Sequence, residues 1–414
     1  MGTTLPNPNH YDAIVLGGGT MGTAAAWALG RRGLTSLILE QFQHVHAMGS
    51  HGGDTRVIRH AYAESPEYVP LVLRADQLWQ ELETESGQQV LIRCGGLELA
   101  APGYDHARLA RLSADEHGLP YEWLPASEAA ARWPAFRIPD DWDALYTPST
   151  GFLLTEPALR GMAEAAKRLG ATLLEHTPAT AWGSDNGSVW VETASGRYEA
   201  GALVITAGAW AGAMLADFGL PIHVRRKTLW WQAVDDVSRY QPDRFPVFIA
   251  DSSAGEIYGF PIYGEPALKI ANHAGGDVVD VETVDRQTRP GENRDCLELA
   301  SHLIPGVRPE VHKSAVCLYT MTPDTDFIVD RDPRSTNVVF GAGFSGAWLQ
   351  EERRSAASAR QREKRIGTGV YPEDVVSERG RVTNRERWAG LRPAHLRLLQ
   401  NRRPNEKRYV RASW

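Results

Sequence analysis

The sequence predicts an α/β chain in which a mostly antiparallel domain is inserted into a doubly wound one, and three observations carry that prediction. An apolar run of strand length, Ala13 to Leu16, leads directly into a turn with Gly17, Gly19 and Gly22 in G-x-G-x-x-G spacing. An Ala-rich, helix-favouring stretch, Thr23 to Arg32, follows, and a second apolar strand, Leu37 to Leu39, closes on Glu40. Between residues 225 and 315 the period changes to the alternation of strands, at Thr228 to Val234, Gly255 to Tyr263 and Ala267 to His273.

Each part of the first unit has a physical task. Gly17 makes the tight turn, Gly19 lets backbone approach a pyrophosphate, and Gly22 lets the helix pack close to the strand. The helix N-terminus offers unpaired N–H groups and positive dipole to phosphates, while Glu40 can accept from ribose hydroxyls. Glycine spacing alone would be a weak signal; strand, helix, strand and acid in register make it a dinucleotide site rather than a glycine-rich turn. A helix is expected over Tyr68 to Glu83, and two further strand-to-turn junctions at Ala202 to Gly208 and at Asn337 to Gly346. The expected division is a nucleotide-binding domain of residues 1–85, 145–220 and 315–346, with a substrate domain of 86–144 and 221–314.

Composition limits the function classes. With 23% charged and 43% hydrophobic residues, the chain reads as an ordinary globular protein of two or three domains. The first apolar run is too short for a signal peptide, and Ala202 to Leu215 is shorter than a membrane span and interrupted by Gly208 and Gly212. Cys94, Cys296 and Cys317 are an odd number without metal-ligand spacing, which suggests a reducing, cytoplasmic setting and no metal. Residues 347–414 hold 17 Lys and Arg against 8 Asp and Glu, leaving 27 basic and 43 acidic residues before them. Such an acidic body with a basic tail prompts a nucleic-acid hypothesis.

Three segments concentrate reactive side chains. The loop Gly49 to Tyr62 holds His51, Arg56, Arg59 and His60; its glycines would admit a flat ring and an Arg fork would suit a carboxylate, though a solvated basic loop reads equally well. Alternation sets Tyr258 with Phe260 and Lys269 with His273, facing either a polar cavity or solvent at a sheet edge. Cys317, among apolar residues, reads on its own as a buried small hydrophobe.

Together these residues resemble a known family. The turn Gly17-Gly-Gly-Thr-Met-Gly22, the run Gly49-Ser-His-x-Gly-Asp-Thr-Arg-x-Ile-Arg-His-Ala-Tyr62 and Tyr68-Val-Pro-Leu-Val-Leu-Arg74 are similar to monomeric sarcosine oxidase and N-methyltryptophan oxidase. So are Tyr258-Gly-Phe-Pro261, Leu268-Lys-Ile-x-x-His273, Ala315-Val-Cys-Leu-Tyr-Thr320 and Gly343-Phe-Ser-Gly346. The resemblance, from about Tyr11 to Gly346, implies a Rossmann-like FAD-binding domain of the p-hydroxybenzoate-hydroxylase/D-amino-acid-oxidase type. It implies FAD joined through its 8α-methyl to Cys317, with Ser50, Thr55, Gly343 and Gly346 also against the cofactor. The implied reaction is oxidation of a secondary N-methyl amino acid by O₂, giving amino acid, formaldehyde and H₂O₂, by a monomer. Position by position, Arg59 would hold the substrate carboxylate, Arg56 would lie close to the flavin face, Lys269 would activate oxygen, and Tyr258 and His273 would line the substrate pocket.

The chain departs from the family twice. Gly52 stands where the family usually has a second His. After Gly346 the family continues His-Gly-Phe-Lys and a helix, supplying a second cation for the carboxylate, whereas this chain reads Ala347-Trp-Leu-Gln-Glu351 and becomes Arg-rich. Ala-Trp-Leu-Gln-Glu can be written GCA TGG CTT CAA GAG; one base later this gives CAT GGC TTC AAG, which is His-Gly-Phe-Lys. The expectation is therefore a frameshift just after Gly346, a tail that is not a nucleic-acid arm, and weakened activity for the chain as written.

Three alternatives remain at this level. One is a flavin-dependent oxidase or dehydrogenase of another amino acid. A pyridine-nucleotide dehydrogenase fits Glu40 but leaves Cys317 and the Arg56/Arg59 loop without a task. Nucleic-acid binding through residues 347–414 lacks interleaved aromatics and any recognisable motif.

Overall fold

The computed structural model describes residues 10–345 other than residue 186; Gly346 and the basic tail lie outside the described residues. Strand β1 (His10–Leu16) runs parallel to β2 (Ser36–Leu39) on one side and to the strand Gly196–Ile205 on the other. Ala13, Ile14, Val15 and Leu16 are all nearly fully buried, as expected of a central parallel strand covered on both faces. Ala13 and Val15 pack with helix α1 (Thr20–Arg31) and the helix Thr155–Arg168; Ile14 and Leu16 pack on the opposite side with Val189, Val191 and Ala211.

The strand Gly196–Ile205 branches this sheet. Its first half pairs antiparallel with Ser188–Thr193, while Leu203 to Ile205 pair parallel with Val338 to Phe340. The expected junctions therefore form: Ile205 and Ala342 both end strands at the edge where β1 enters its glycine turn. The expected helix at 68–83 runs Val69–Ser86, stopped by Gly87 in the left-handed region (φ 68°).

A second, nine-stranded sheet contains the three alternating segments, as His223–Val234, Gly255–Phe260 and Leu268–Asn272. All its pairings are antiparallel except that of Gly96–Ala100 with Val247–Ser252. Two strands run across expected boundaries. The strand Val307–Met321 pairs along its length with His223–Val234, so residues 315–321 belong to this second sheet, and the chain returns to the first only at Ile328. Asp143–Thr147 is likewise continuous in the second sheet, across the expected break at 144/145. Backbone hydrogen bonding continues through both points, whereas the sequence changes character near them. Among the described residues no helix is long and apolar enough to cross a membrane.

Period-2 alternation gives the second sheet two unlike faces. One carries Leu97, Leu99, Trp230, Phe248, Ile257, Leu268 and Ile270 into an apolar core closed by the helix Arg294–Leu303. The other carries Tyr258, Lys269 and Cys317, with His273 just past the end of Leu268–Asn272.

Candidate functional site

The first part of the site is the glycine turn. Gly17 has φ +92°, and a Cβ there would meet the Thr206 carbonyl oxygen at 2.4 Å. A Cβ on Gly22 would fall 1.8 Å from the Gly17 oxygen, so only glycine lets α1 come this close to β1. Gly19 differs: a Cβ there would contact only His51, at 3.7 Å, so the turn is open above it. Gly19 is also the N-cap of α1 without a side-chain cap, leaving the first N–H groups for an anion.

Glu40 follows β2 and is buried, accepting from Gly18 N at 2.7 Å and Phe42 N at 2.9 Å, with His46 Nε2 3.5 Å away. Burial works to raise its pKa, but the His46 and backbone hydrogen bonds outweigh it, and the carboxyl titrates below its ordinary value. An ionised acceptor at the end of β2 suits hydroxyl donors. The open Gly19, the uncapped helix start and the ionised Glu40 fit a dinucleotide.

The segment from Gly49 to Tyr62 is not a solvated basic loop: Thr55–Ile58 is a strand paired antiparallel with Gly151–Leu154. Arg56 donates to the carbonyls of Ser50, Gly52 (2.6 Å) and Thr55 (2.7 Å), drawing the loop around its guanidinium. Arg59 is 1% exposed, paired with Glu64, and lies 4.5 Å from the Tyr62 ring centroid. Lys269 reaches the same loop from the second sheet, donating to Gly53 O (2.5 Å), Thr55 O (3.0 Å) and Thr55 Oγ1 (2.9 Å). A Cβ at Gly52 would lie 3.3 Å from the Ala47 oxygen, so a side chain at this position would press on the 47–52 turn.

Strand register brings the remaining residues together in rows on one sheet face. Cys317 lies directly opposite Lys227; Lys313 opposite Trp231, and Trp231 opposite Lys269; Lys269 opposite Phe260. Tyr258 lies between Ala271 and Ile249, and Ile249 is beside Glu98; Glu256 is opposite Asp251, and its backbone carbonyl accepts from His273 N at 2.8 Å. Tyr258 and His273 have centroids 6.1 Å apart, and His273 and Tyr319 5.8 Å. Lys269 is 3% and His273 7% exposed, which removes the reading of a solvent-facing edge. Burial, then the charge of Arg56, depresses Lys269 well below the usual lysine range. Cys317 is buried as expected of a small hydrophobe; burial raises its thiol pKa, against the opposing charges of Arg56, Lys269 and Lys227.

Arg56, Lys269, Thr55, Tyr258, His273 and Cys317 thus form one group. His51, in T-shaped contact with His46 at 4.6 Å, links it to the glycine turn. Ser50 contributes its carbonyl, and Gly343 (φ +63°) ends the strand Val338–Ala342. Sequence reasoning missed Lys227, Glu98, His106, Glu256 and His46. Carrying the alternation of Tyr258 and Phe260 back one step, and that of Leu229 and Trp231 likewise, would have found Glu256 and Lys227.

A Rossmann-type turn joined to a sheet face bearing Lys227, Lys269 and Cys317 fits a flavin-dependent redox protein. The FAD dependent oxidoreductase family (DAO) matches residues 12–351, and the chain belongs to it. It is 37% identical over 344 residues to a monomeric sarcosine oxidase of Bacillus sp. (strain B-0618), covering 81% of this chain and 88% of that one. It is 35% identical over 341 residues to an N-methyl-L-tryptophan oxidase of Yersinia pestis (strain Pestoides F), covering 81% and 90%. Among solved structures, NikD, an unusual amino acid oxidase, shares the fold at TM-score 0.72 and 22% identity, covering 82% of this chain and 91% of that one. Glycine oxidase from Geobacillus kaustophilus does so at TM-score 0.67 and 24% identity, covering 84% and 96%.

Proposed function

We propose that this chain oxidises a secondary N-methyl amino acid of the sarcosine or N-methyl-L-tryptophan type, giving amino acid, formaldehyde and H₂O₂. The observation that carries the reading is the single sheet face holding Cys317, Lys269, Tyr258 and His273 under the loop of Arg56 and Arg59. The sarcosine and N-methyltryptophan oxidases to which the chain is similar support it. FAD, which the glycine turn and Glu40 would hold, would supply two-electron acceptance with O₂ as the final acceptor.

The protein residues then have separate tasks. Arg59 binds the carboxylate and fixes the N-methyl group in one orientation, as a buried fork does best. Tyr258 and His273 wall the pocket and exclude water. The substrate reacts as neutral amine, because the nitrogen lone pair is needed when the C–H bond breaks. Lys269, fixed by three acceptors, places positive charge where O₂ gains negative charge. Cys317 is the proposed thioether link to the 8α-carbon of FAD, and the working unit a monomer.

Oxygen uptake and H₂O₂ release with sarcosine and with N-methyl-L-tryptophan test this function. Oxidation of either, with formaldehyde formed stoichiometrically, is the expected result; a flavin-loaded protein inert to both but active on a primary amino acid would replace it with an oxidase of another amino acid.

A further inference from the structure

A second group of buried ionisable residues lies on the same sheet face, at the end away from Cys317. His106, at the start of the helix His106–His117, places Nε2 2.9 Å from Glu98 Oε2 and Nδ1 3.7 Å from Glu256 Oε1. Glu98, His106 and Glu256 are 2%, 6% and 4% exposed. Neither oxygen of Glu98, nor His106 Nε2, nor Glu256 Oε2 has an aligned hydrogen-bond partner among the described residues, so the 2.9 Å approach is an ion-pair contact. Arg59, paired with Glu64, is within electrostatic reach of Glu98 and Glu256.

Charge balance decides how such a group is protonated. Three carboxyls, Glu64, Glu98 and Glu256, face two cations, Arg59 and protonated His106, away from water. A buried carboxylate without a counter-charge is expensive, so one carboxyl keeps its proton. Glu64 is paired with Arg59 and Glu98 has the short contact to His106; Glu256, 3.7 Å from His106, has the weaker counter-charge and is the one left protonated. A substrate carboxylate arriving at Arg59 adds another negative charge to this closed group.

We propose that Glu256, held with Glu98 and His106, is a positioning residue that must carry a proton for a carboxylate to bind at Arg59, so that carboxylate affinity falls as pH rises. This rests on the reading of Arg59 as the carboxylate site. The direction of both titrations agrees: burial pushes Glu256 up to about 8, and Glu98 raises His106 to about 8 against the effect of its burial. Below that pH the cluster is neutral or positive; above it, loss of both protons cancels the field of Arg59. The other charged groups facing Glu256 are Asp251, across the neighbouring strand, with His273 and Lys227 on the other side.

The test is binding of acetate, which has the carboxylate but no amine to titrate, to the FAD-loaded full-length protein. The dissociation constant is followed through the flavin absorbance from pH 6.5 to 9.5. In wild type the slope of log Kd against pH should approach two above pH of about 8, and in Glu256→Gln it should approach one. Calorimetry at pH 8.5 in buffers of different ionisation enthalpy should show uptake of more than one proton per acetate in wild type. That measurement needs no variant to fold. Lys227 is present in both proteins, so the difference between them isolates Glu256. Acetate that binds without proton uptake in wild type, or with equal uptake in Glu256→Gln, overturns the proposal. Acetate that fails to bind, or binds equally to Arg59→Leu, overturns the reading of Arg59 instead.

Discussion

Lys269 and Thr55 join the two halves of the site: the ammonium of Lys269, on the second sheet, donates to both the carbonyl (3.0 Å) and the hydroxyl (2.9 Å) of Thr55. Replacing Lys269 by Met removes the buried charge and strands these acceptors. Reduction of FAD by substrate should change little, while reoxidation by O₂ should slow by about a hundredfold. Separate stopped-flow measurements of the two half-reactions decide this. The folded state should also lose about 1–3 kcal/mol for the unsatisfied carbonyls.

The glycines of the turn predict a separation between folding and cofactor binding. Gly22→Ala puts a Cβ 1.8 Å from the Gly17 oxygen and should lower the melting temperature of the cofactor-free protein sharply. Gly19→Ala meets only the His51 ring at 3.7 Å and should leave that temperature almost unchanged, yet abolish FAD binding. Equal melting losses in the two variants would contradict the assignment of Gly19 to the pyrophosphate.

Cys317→Ser should bind FAD without holding it covalently. Intact mass of the wild-type protein should exceed the chain by one FAD less the two hydrogens lost in forming the thioether, and that of the variant should equal the chain. A wild-type mass without FAD would remove Cys317 from the cofactor assignment.

His51 supplies a pH prediction. Burial, followed by the charges of His46 and Arg56, lowers its pKa to about 3 from 6.5. The unfolded chain therefore takes up a proton first as pH falls, so the stabilisation from neutral His51 is complete above about pH 6.5 and declines between there and pH 3. Urea unfolding of the cofactor-free protein should lose less stability from pH 6.5 to 4.5 in His51→Asn than in wild type. Parallel curves would show that His51 does not titrate in this way.

The tail carries a genetic prediction. Re-sequencing should show a reading-frame change just after Gly346, and the alternative frame should restore His-Gly-Phe-Lys and raise turnover. Wild-type-like turnover by the chain as written would end this idea.

Much of this was legible because it is local. The glycine turn, Glu40 and the alternation around Tyr258 and Lys269 are set by near neighbours in sequence. What was not legible depends on strands far apart in the chain. Lys227 faces Cys317 only through the register of two strands 90 residues apart. His106 reads as an ordinary helix residue until Glu98 and Glu256 are brought under it by the pairing of Val247–Ser252 with Gly96–Ala100 on one side and Gly255–Phe260 on the other. Strands cross the expected breaks at 144/145 and 315 for the same reason: hydrogen bonding along Asp143–Thr147 and Val307–Met321 ignores the change in local composition.

Because the second sheet gives one face to its core and the other to its site, correct folding and correct chemistry have a single specification. A slip of one residue in Val307–Met321 would turn the Cys317 thiol toward the core side and offer Val316 or Leu318 in its place, without changing one amino acid. Such a misregistered chain would be colourless after FAD is washed away, since aliphatic side chains would occupy the face that meets the flavin. Flavin retention would then serve as an assay of strand alignment, reporting on assembly of the sheet before any substrate is added.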